Sequence, residues 1–159
     1  MKTRRSEQSL IALVVVAALG VGVAGQTKPA PAAKSLYDRL GGAYSIATVV
    51  DDFIERLLVN DTLNANPAIK EARTRVPKAG LKFHVTTLVC EVTGGPCKYT
   101  GRTMKDSHAK LNINEVQWDA MVADFRKTLD TFKVPPPEQQ ELITIVGTTK
   151  KDIVQAAKP

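Results

Sequence analysis

Two histidines, His84 and His108, are the only imidazole side chains in the chain. Each of them has apolar residues three or four positions away, which is the spacing of one face of a helix. The apolar neighbours at three- and four-residue steps are Leu81, Val85, Leu88 and Val92 for the first, and Met104 and Leu111 for the second. A stripe with this spacing faces the interior of a helical protein, where a polar ring needs a bonding partner. Two such rings facing one cavity can share an iron ion that is held in a flat, apolar macrocycle.

The alternative for each histidine is a buried side chain with no ligand role, which is the commoner fate of a lone histidine on an apolar helix face. Other chemistry is not indicated, since the chain has no phosphate-binding loop, no Ser-His-Asp set and no pair of carboxylates in an apolar setting. Any catalysis would therefore be carried by the iron, with the protein controlling access and polarity.

The elements that must position the histidines are all predicted to be helices, because no segment of strand length alternates between apolar and polar residues. Ser35 and Asn114 are candidate N-caps, the second with Gln117 at the reciprocal capping position. The predicted helices cover 36–40, 43–59, a segment bearing His84 that ends at 94–96, a short segment bearing His108, 115–132 and 138–156. Residues 62–77, with Pro67 and Pro77, are predicted to be irregular.

The first 34 residues are predicted to lie outside the folded unit. Lys2, Arg4 and Arg5 precede an uncharged apolar run, which together with small residues near position 25 is typical of a secretory signal over 1–25. An uncleaved membrane anchor is the alternative. A Pro/Ala linker follows at 26–34, and one domain is expected at 35–155. The expected location is the periplasm, or the periplasmic side of the inner membrane if the anchor stays uncleaved.

The charge pattern does not indicate a nucleic-acid partner. The chain carries a formal net charge of +6. Removing residues 1–25 takes away three positive charges and one negative charge, which leaves +4 on residues scattered without a basic block. A mixed, solvated surface is the better interpretation.

Cys90 and Cys97, the only cysteines, flank a Gly-Gly-Pro turn. Export would place them in an oxidising compartment, so we expect a disulfide rather than two free thiols. A haem attached covalently through Cys-x-x-Cys-His is not expected, because that motif is absent.

An ordered set of segments resembles the group I truncated haemoglobins. The segments are LYDRLGG at 36–42, VDDF at 50–53, GGP at 94–96, YTGRTM at 99–104, SH at 107–108 and KVP at 133–135. The resemblance spans about 35–154, nearly the whole predicted mature chain. It implies an all-α, two-on-two helical sandwich that binds haem b.

The resemblance also implies roles for individual residues. His108 takes the place of the proximal iron ligand, and His84 that of a distal histidine which binds the sixth iron position in some relatives. Ile54, Leu81 and Val85 would face the distal side. The chain departs from the family there, because Ile54 replaces a tyrosine and Val85 a glutamine. An apolar distal side with only His84 would hold dioxygen weakly unless the imidazole itself donates.

Further side chains would complete such a site. The second nitrogen of His108 should donate to a backbone carbonyl or to water, which would fix the tautomer. Met104 would pack against the macrocycle, and Tyr99 and Phe53 would be aromatic walls. Arg102 or Lys105 would pair with a propionate, or else be freely solvated.

Three functions remain open at this point. The first is reversible binding of dioxygen or another diatomic gas (NO or CO) at the haem iron, with NO dioxygenase or peroxidase-like side activity as its enzymatic form. The second is an exported bis-histidine haem protein for electron transfer or NO detoxification, with a reductase or electron partner that the sequence does not identify. The third is a cofactor-free helical domain that binds a protein.

Overall fold

The computed structural model describes residues 33–155, and every regular element in this range is a helix. The helices are α1 (Leu36–Arg39), α2 (Gly42–Val59), α3 (Asp61–Asn64), α4 (Pro67–Arg75), α5 (Lys78–Val92), α6 (Met104–His108), α7 (Glu115–Thr131), α8 (Pro136–Thr148) and α9 (Lys150–Ile153). The all-α prediction is therefore confirmed. The predicted signal sequence and most of the linker lie outside the described residues. Within 33–155, no helix is both long and apolar enough to cross a membrane.

Both predicted N-caps are formed. The Ser35 hydroxyl accepts a hydrogen bond from the backbone N–H of Asp38 at 3.1 Å. Asn114 and Gln117 form a capping box, in which each side-chain oxygen accepts from the other residue's backbone N–H at 3.0 and 3.1 Å. These bonds satisfy N–H groups that the first turn of a helix leaves without partners.

Residues 62–77 are more regular than predicted. Asn60 caps α3 and Asn66 caps α4, each through its side-chain oxygen. Pro67, which was expected to interrupt the chain, is the first residue of α4, a position where the missing N–H costs nothing. The last helix differs too, because α8 ends at Thr148 and a separate turn, α9, follows it.

The core is built around α2, which packs against both α5 and α7. Ile46, Val50 and Ile54 of α2 form one buried cluster. The second is formed by Leu36 of α1, Phe125 and Leu129 of α7, and Leu142 of α8. Phe53 contacts both clusters, and its ring centroid is 5.0 Å from that of Phe125.

The large apolar side chains of α7 and its C-cap are not all buried. Trp118, Phe125 and Leu129 are buried, whereas Phe132 is 38% exposed. Phe132 is the C-cap of α7, so its side chain lies where the chain leaves the helix.

Polar side chains also join α2 to α7. The buried Thr128 hydroxyl donates to Asp52 at 2.7 Å, and Asn60 donates to the buried carboxylate of Asp124 at 2.6 Å. The Arg56 guanidinium, which donates to Asp52 at 2.6 Å, holds the pKa of that carboxyl below its ordinary value. Such paired groups fix the register of two helices whose contact is otherwise apolar.

Candidate functional site

His108 is the last residue of α6, a helix of only five residues that begins at the N-cap Thr103. Its imidazole is half-buried, and its Nδ1 lies 2.8 Å from the carbonyl oxygen of Met104 and 3.0 Å from the hydroxyl of Ser107. The Ser107 hydroxyl in turn donates to the Thr103 carbonyl at 2.7 Å. The ring is thus tied to the backbone of its own helix.

These contacts decide which ring nitrogen is free. A carbonyl oxygen can only accept, so Nδ1 carries the proton and donates it to Met104, as predicted. Nε2 then keeps its lone pair, and within the described residues it forms no hydrogen bond. No fully buried side-chain nitrogen lacks a partner in this part of the chain, so Nε2 is not fully buried.

The charge state of the His108 ring also favours binding of a metal through Nε2. Burial lowers the pKa of His108 below its ordinary value, and the positive charge of Arg102 lowers it further, while the bond to the Met104 carbonyl acts in the opposite direction. The neutral imidazole, which is the form that binds a metal, is therefore the favoured one. Among the described residues, no group of three His, Cys, Asp or Glu side chains could hold a metal ion alone. A single neutral imidazole nitrogen fits the axial position of haem iron.

His84 does not face the interior, contrary to the prediction. It lies on α5 but is exposed, with its ring centroid 5.6 Å from that of Phe83 and 6.1 Å from that of Tyr99. The reason lies in helix geometry. Leu81 and Val85 pack against α2, and a residue at position 84 points about 100° around the helix from Val85.

The three apolar residues expected on the distal side are brought together. Ile54 is 2% exposed at the centre of α2, and Leu81 and Val85 of α5 pack against its cluster. None of these side chains can donate a hydrogen bond. The part of the α2–α5 interface that they form is therefore apolar.

The remaining predicted residues are placed as follows. Met104, half-buried at the start of α6, contacts His108 through its carbonyl. The Tyr99 hydroxyl donates to the carbonyl of Arg102 at 2.7 Å, while the exposed Arg102 side chain forms no ion pair with any described residue. Phe53 belongs to the core beside Phe125, which is the contact that the structure shows for its ring.

Cys90 and Cys97 form the predicted disulfide, with Cα atoms 5.7 Å apart. Cys90 is completely buried at the end of α5. A Cβ at Gly95 would come within 2.7 Å of the Cys90 carbonyl oxygen, so the turn requires glycine. Beyond it, the Tyr99 N–H donates to the Glu91 side chain at 3.2 Å, which brings the chain back along α5 towards His84.

Two residues of this region were not predicted to have a role. Ser107 could have been inferred, because it adjoins His108 and its hydroxyl was available. Nothing in the sequence indicated a role for Gln155, because it is far from His108 along the chain. Its side-chain amide nevertheless donates to the carbonyl of Ala109 at 2.8 Å.

Comparisons with known proteins place this arrangement in a family. The family model described as bacterial-like globin matches residues 35–155. The group 1 truncated haemoglobin of Synechocystis is 30% identical over 126 residues, which cover 76% of this chain and 97% of that protein. The group 1 truncated haemoglobin of Chlamydomonas moewusii is 25% identical over 145 residues, covering 88% of this chain and 81% of that protein.

Solved structures agree. The 2/2 haemoglobin of Synechococcus, in the cyanomet state with covalently attached haem, superposes with a TM-score of 0.67 at 25% identity, covering 76% of this chain and 98% of that one. The Fe(III) truncated haemoglobin of Tetrahymena pyriformis superposes with a TM-score of 0.67 at 21% identity, covering 77% of this chain and 100% of that one.

The chain therefore belongs to the bacterial-like globin family. Within that family it is a group I truncated haemoglobin with the two-on-two helical fold, and its cofactor is haem b.

Proposed function

We propose that this protein binds a diatomic gas (O2, NO or CO) reversibly at a haem b iron held by His108. The observation that carries the proposal is the bond from His108 Nδ1 to the Met104 carbonyl, because it leaves the lone pair of Nε2 available. The haem supplies the iron atom at which the gas binds. Burial keeps the ring neutral, and Met104 and Tyr99 would contact the haem, while Arg102, which is exposed beside His108, would pair with a propionate.

We further propose that His84 occupies the sixth iron position when no gas is present. Its exposure and its aromatic neighbours support this proposal, since no described residue forms a hydrogen bond with the ring that would have to break first. For a gas to bind, the imidazole must move away. Ile54, Leu81 and Val85, which pack together, would exclude water from the same side and would offer no donor to the gas.

The apolar distal side favours one second candidate function. A protein that stabilises dioxygen needs a hydrogen-bond donor near it, and the only polar side chain proposed for that side is His84 itself. An iron with two imidazole ligands suits electron transfer or redox chemistry on NO, with a separate reductase as the partner.

The absorption spectrum of the reduced, ligand-free protein separates the two states of the iron. Sharp visible bands beside a strong Soret band would indicate two axial ligands, and a broad visible band would indicate an open site. Exposure to CO or O2 then tests gas binding directly. A protein that keeps its two-ligand spectrum under saturating CO would support the electron-transfer candidate and overturn gas binding.

The role of His108 is tested by replacing it. The His108→Ala variant should lose stable haem binding in a hemin titration, while His84→Ala should retain it. Circular dichroism on both variants shows whether the helices are still formed. Retention of a tight, stoichiometric Soret band by His108→Ala would remove His108 as the ligand.

We also propose that the protein is exported after removal of residues 1–25. The Cys90–Cys97 disulfide supports an oxidising compartment. Mass spectrometry of the N-terminus of protein purified from cell fractions tests both parts. A full-length chain in the membrane fraction would favour the anchored alternative, and a reduced full-length chain in the cytoplasm would contradict export.

A further inference from the structure

The helix that carries His108 is too short to hold its own position. Helices of fewer than about twelve residues are marginal in water, and α6 has five. Its first turn is capped by the Thr103 hydroxyl, which accepts from the Asp106 N–H at 3.1 Å. Its other end, where His108 lies, needs support from elsewhere in the fold.

That support comes from the far end of the chain. Gln155 follows α9, and α9 is the helix against which α6 packs most closely. The Gln155 side-chain amide donates to the Ala109 carbonyl at 2.8 Å and lies 3.5 Å from the carbonyl of His108. Its backbone N–H donates to the carbonyl of Ile113 at 2.9 Å.

The anchor for these contacts is itself fixed. Ile153, two residues before Gln155, is buried, and the N–H of Val154 donates to the carbonyl of Lys150 at 2.8 Å. Gln155 is half-buried rather than free on the surface. The amide therefore links the end of α6 to a segment that is held in position by its own packing and hydrogen bonds.

The imidazole must follow any movement of this helix. Its Nδ1 is bonded to the Met104 carbonyl, one turn earlier in α6, so a shift or tilt of α6 moves Nε2 by a similar amount. We infer that Gln155 is a positioning residue for the proximal ligand: by holding the carbonyl that follows His108, it sets the orientation in which the imidazole meets the haem iron. This inference rests on the proposed role of His108.

The test uses holoprotein in which the proximal bond can be observed alone. In a His84→Ala background, the iron–imidazole stretching band of the reduced, ligand-free protein is recorded by resonance Raman. Gln155→Met keeps the length of the side chain and removes the amide. We expect the band to shift and broaden, and haem transfer to an excess of a haem-scavenging apoprotein to become about fivefold faster, the factor associated with one lost hydrogen bond.

Two further variants make the result specific. Gln140→Met removes the amide of an exposed glutamine on α8, which donates to Thr144 at 3.3 Å, and should leave both readouts unchanged. Gln155→Lys restores a donor and should return the band towards its original position. A purely structural role would lower the thermal midpoint of Gln155→Met with no change in the band, and that result would overturn the inference.

The failure of this inference is distinguishable from that of the proposed function. If His108→Ala abolishes the band and Gln155→Met leaves it unchanged, His108 is the ligand and Gln155 does not position it. If the His84→Ala protein, whose one remaining histidine is His108, shows no iron–imidazole band, His108 is not the ligand and both proposals fail together.

Discussion

His108 and His84 lie on helices of very different length, and the shorter helix holds its histidine more firmly. On the five-residue α6, the Nδ1 of His108 has a carbonyl and a hydroxyl within 3.0 Å. On the fifteen-residue α5, the exposed ring of His84 lies beside the aromatic rings of Phe83 and Tyr99, and no described residue forms a hydrogen bond with it. Local polar contacts, rather than helix length, determine how far a ligand is preorganised.

This difference suits the two proposed roles. A proximal ligand must stay on the iron, and its tautomer and direction are fixed before the haem arrives. A distal ligand that yields to a gas must be able to leave, and a ring without a hydrogen-bonded partner can do so at low cost. Four sets of substitutions test this contrast between the two histidines.

The largest effect is expected for His84→Ala, which removes the residue that has to leave. If the open state is about 1% populated, the observed association of CO should become about a hundredfold faster. Flash photolysis and rapid mixing measure this rate. Replacement of the neighbouring aromatic residue, Phe83→Leu, is the matched control on the same helix. Equal rates for His84→Ala and the original protein would show that His84 does not occupy the iron.

The next effect concerns the disulfide between the end of α5, which carries His84, and the segment that leads to α6, which carries His108. Replacing both Cys90 and Cys97 by serine opens a short loop, and we expect about 2.5 kcal/mol less stability on the chain-entropy model. Urea unfolding of the haem-loaded protein, followed by circular dichroism, measures the change. Dithiothreitol should lower the midpoint of the original protein and leave that of the double variant unchanged. An equal response of both proteins would contradict a stabilising disulfide.

A smaller effect is expected when a donor is restored on the distal side. Val85→Gln introduces an amide at the α2–α5 interface and should slow O2 release about tenfold, as one added hydrogen bond of about 1.4 kcal/mol would. The measurement is made in the His84→Ala background by stopped flow. Val85→Met is the control for side-chain size, and the same slowing in that variant would mean that bulk, not hydrogen bonding, is responsible.

The smallest effect is a shift in the pH at which haem is released. Because burial lowers the pKa of His108, the neutral ligand should persist below the ordinary imidazole range and be lost only on further acidification. Arg102→Gln removes a charge that lowers this pKa, so release should move to higher pH. Arg102→Lys keeps the charge and should release haem near the original pH. A shift to lower pH in Arg102→Gln would contradict this account.

The sequence was most informative where a signal is local. Helix caps depend on a residue and its neighbours three positions away, so the Asn114–Gln117 box could be predicted and was confirmed. The same locality made Pro67 misleading, because proline both breaks helices and begins them, and only the Asn66 cap shows which applies. The pairing of Cys90 with Cys97 was also local, across a turn that glycine permits.

An all-helical chain, its family and a short helix bearing His108 could be predicted from the sequence alone, since periodicity, caps and motifs lie within single segments. The tertiary structure decided that Phe53 contacts Phe125, that His84 is exposed and that Gln155 reaches the carbonyl after His108. Each of these depends on how one helix is rotated or placed against another. That placement comes from the packing of distant segments, which no short stretch of sequence encodes.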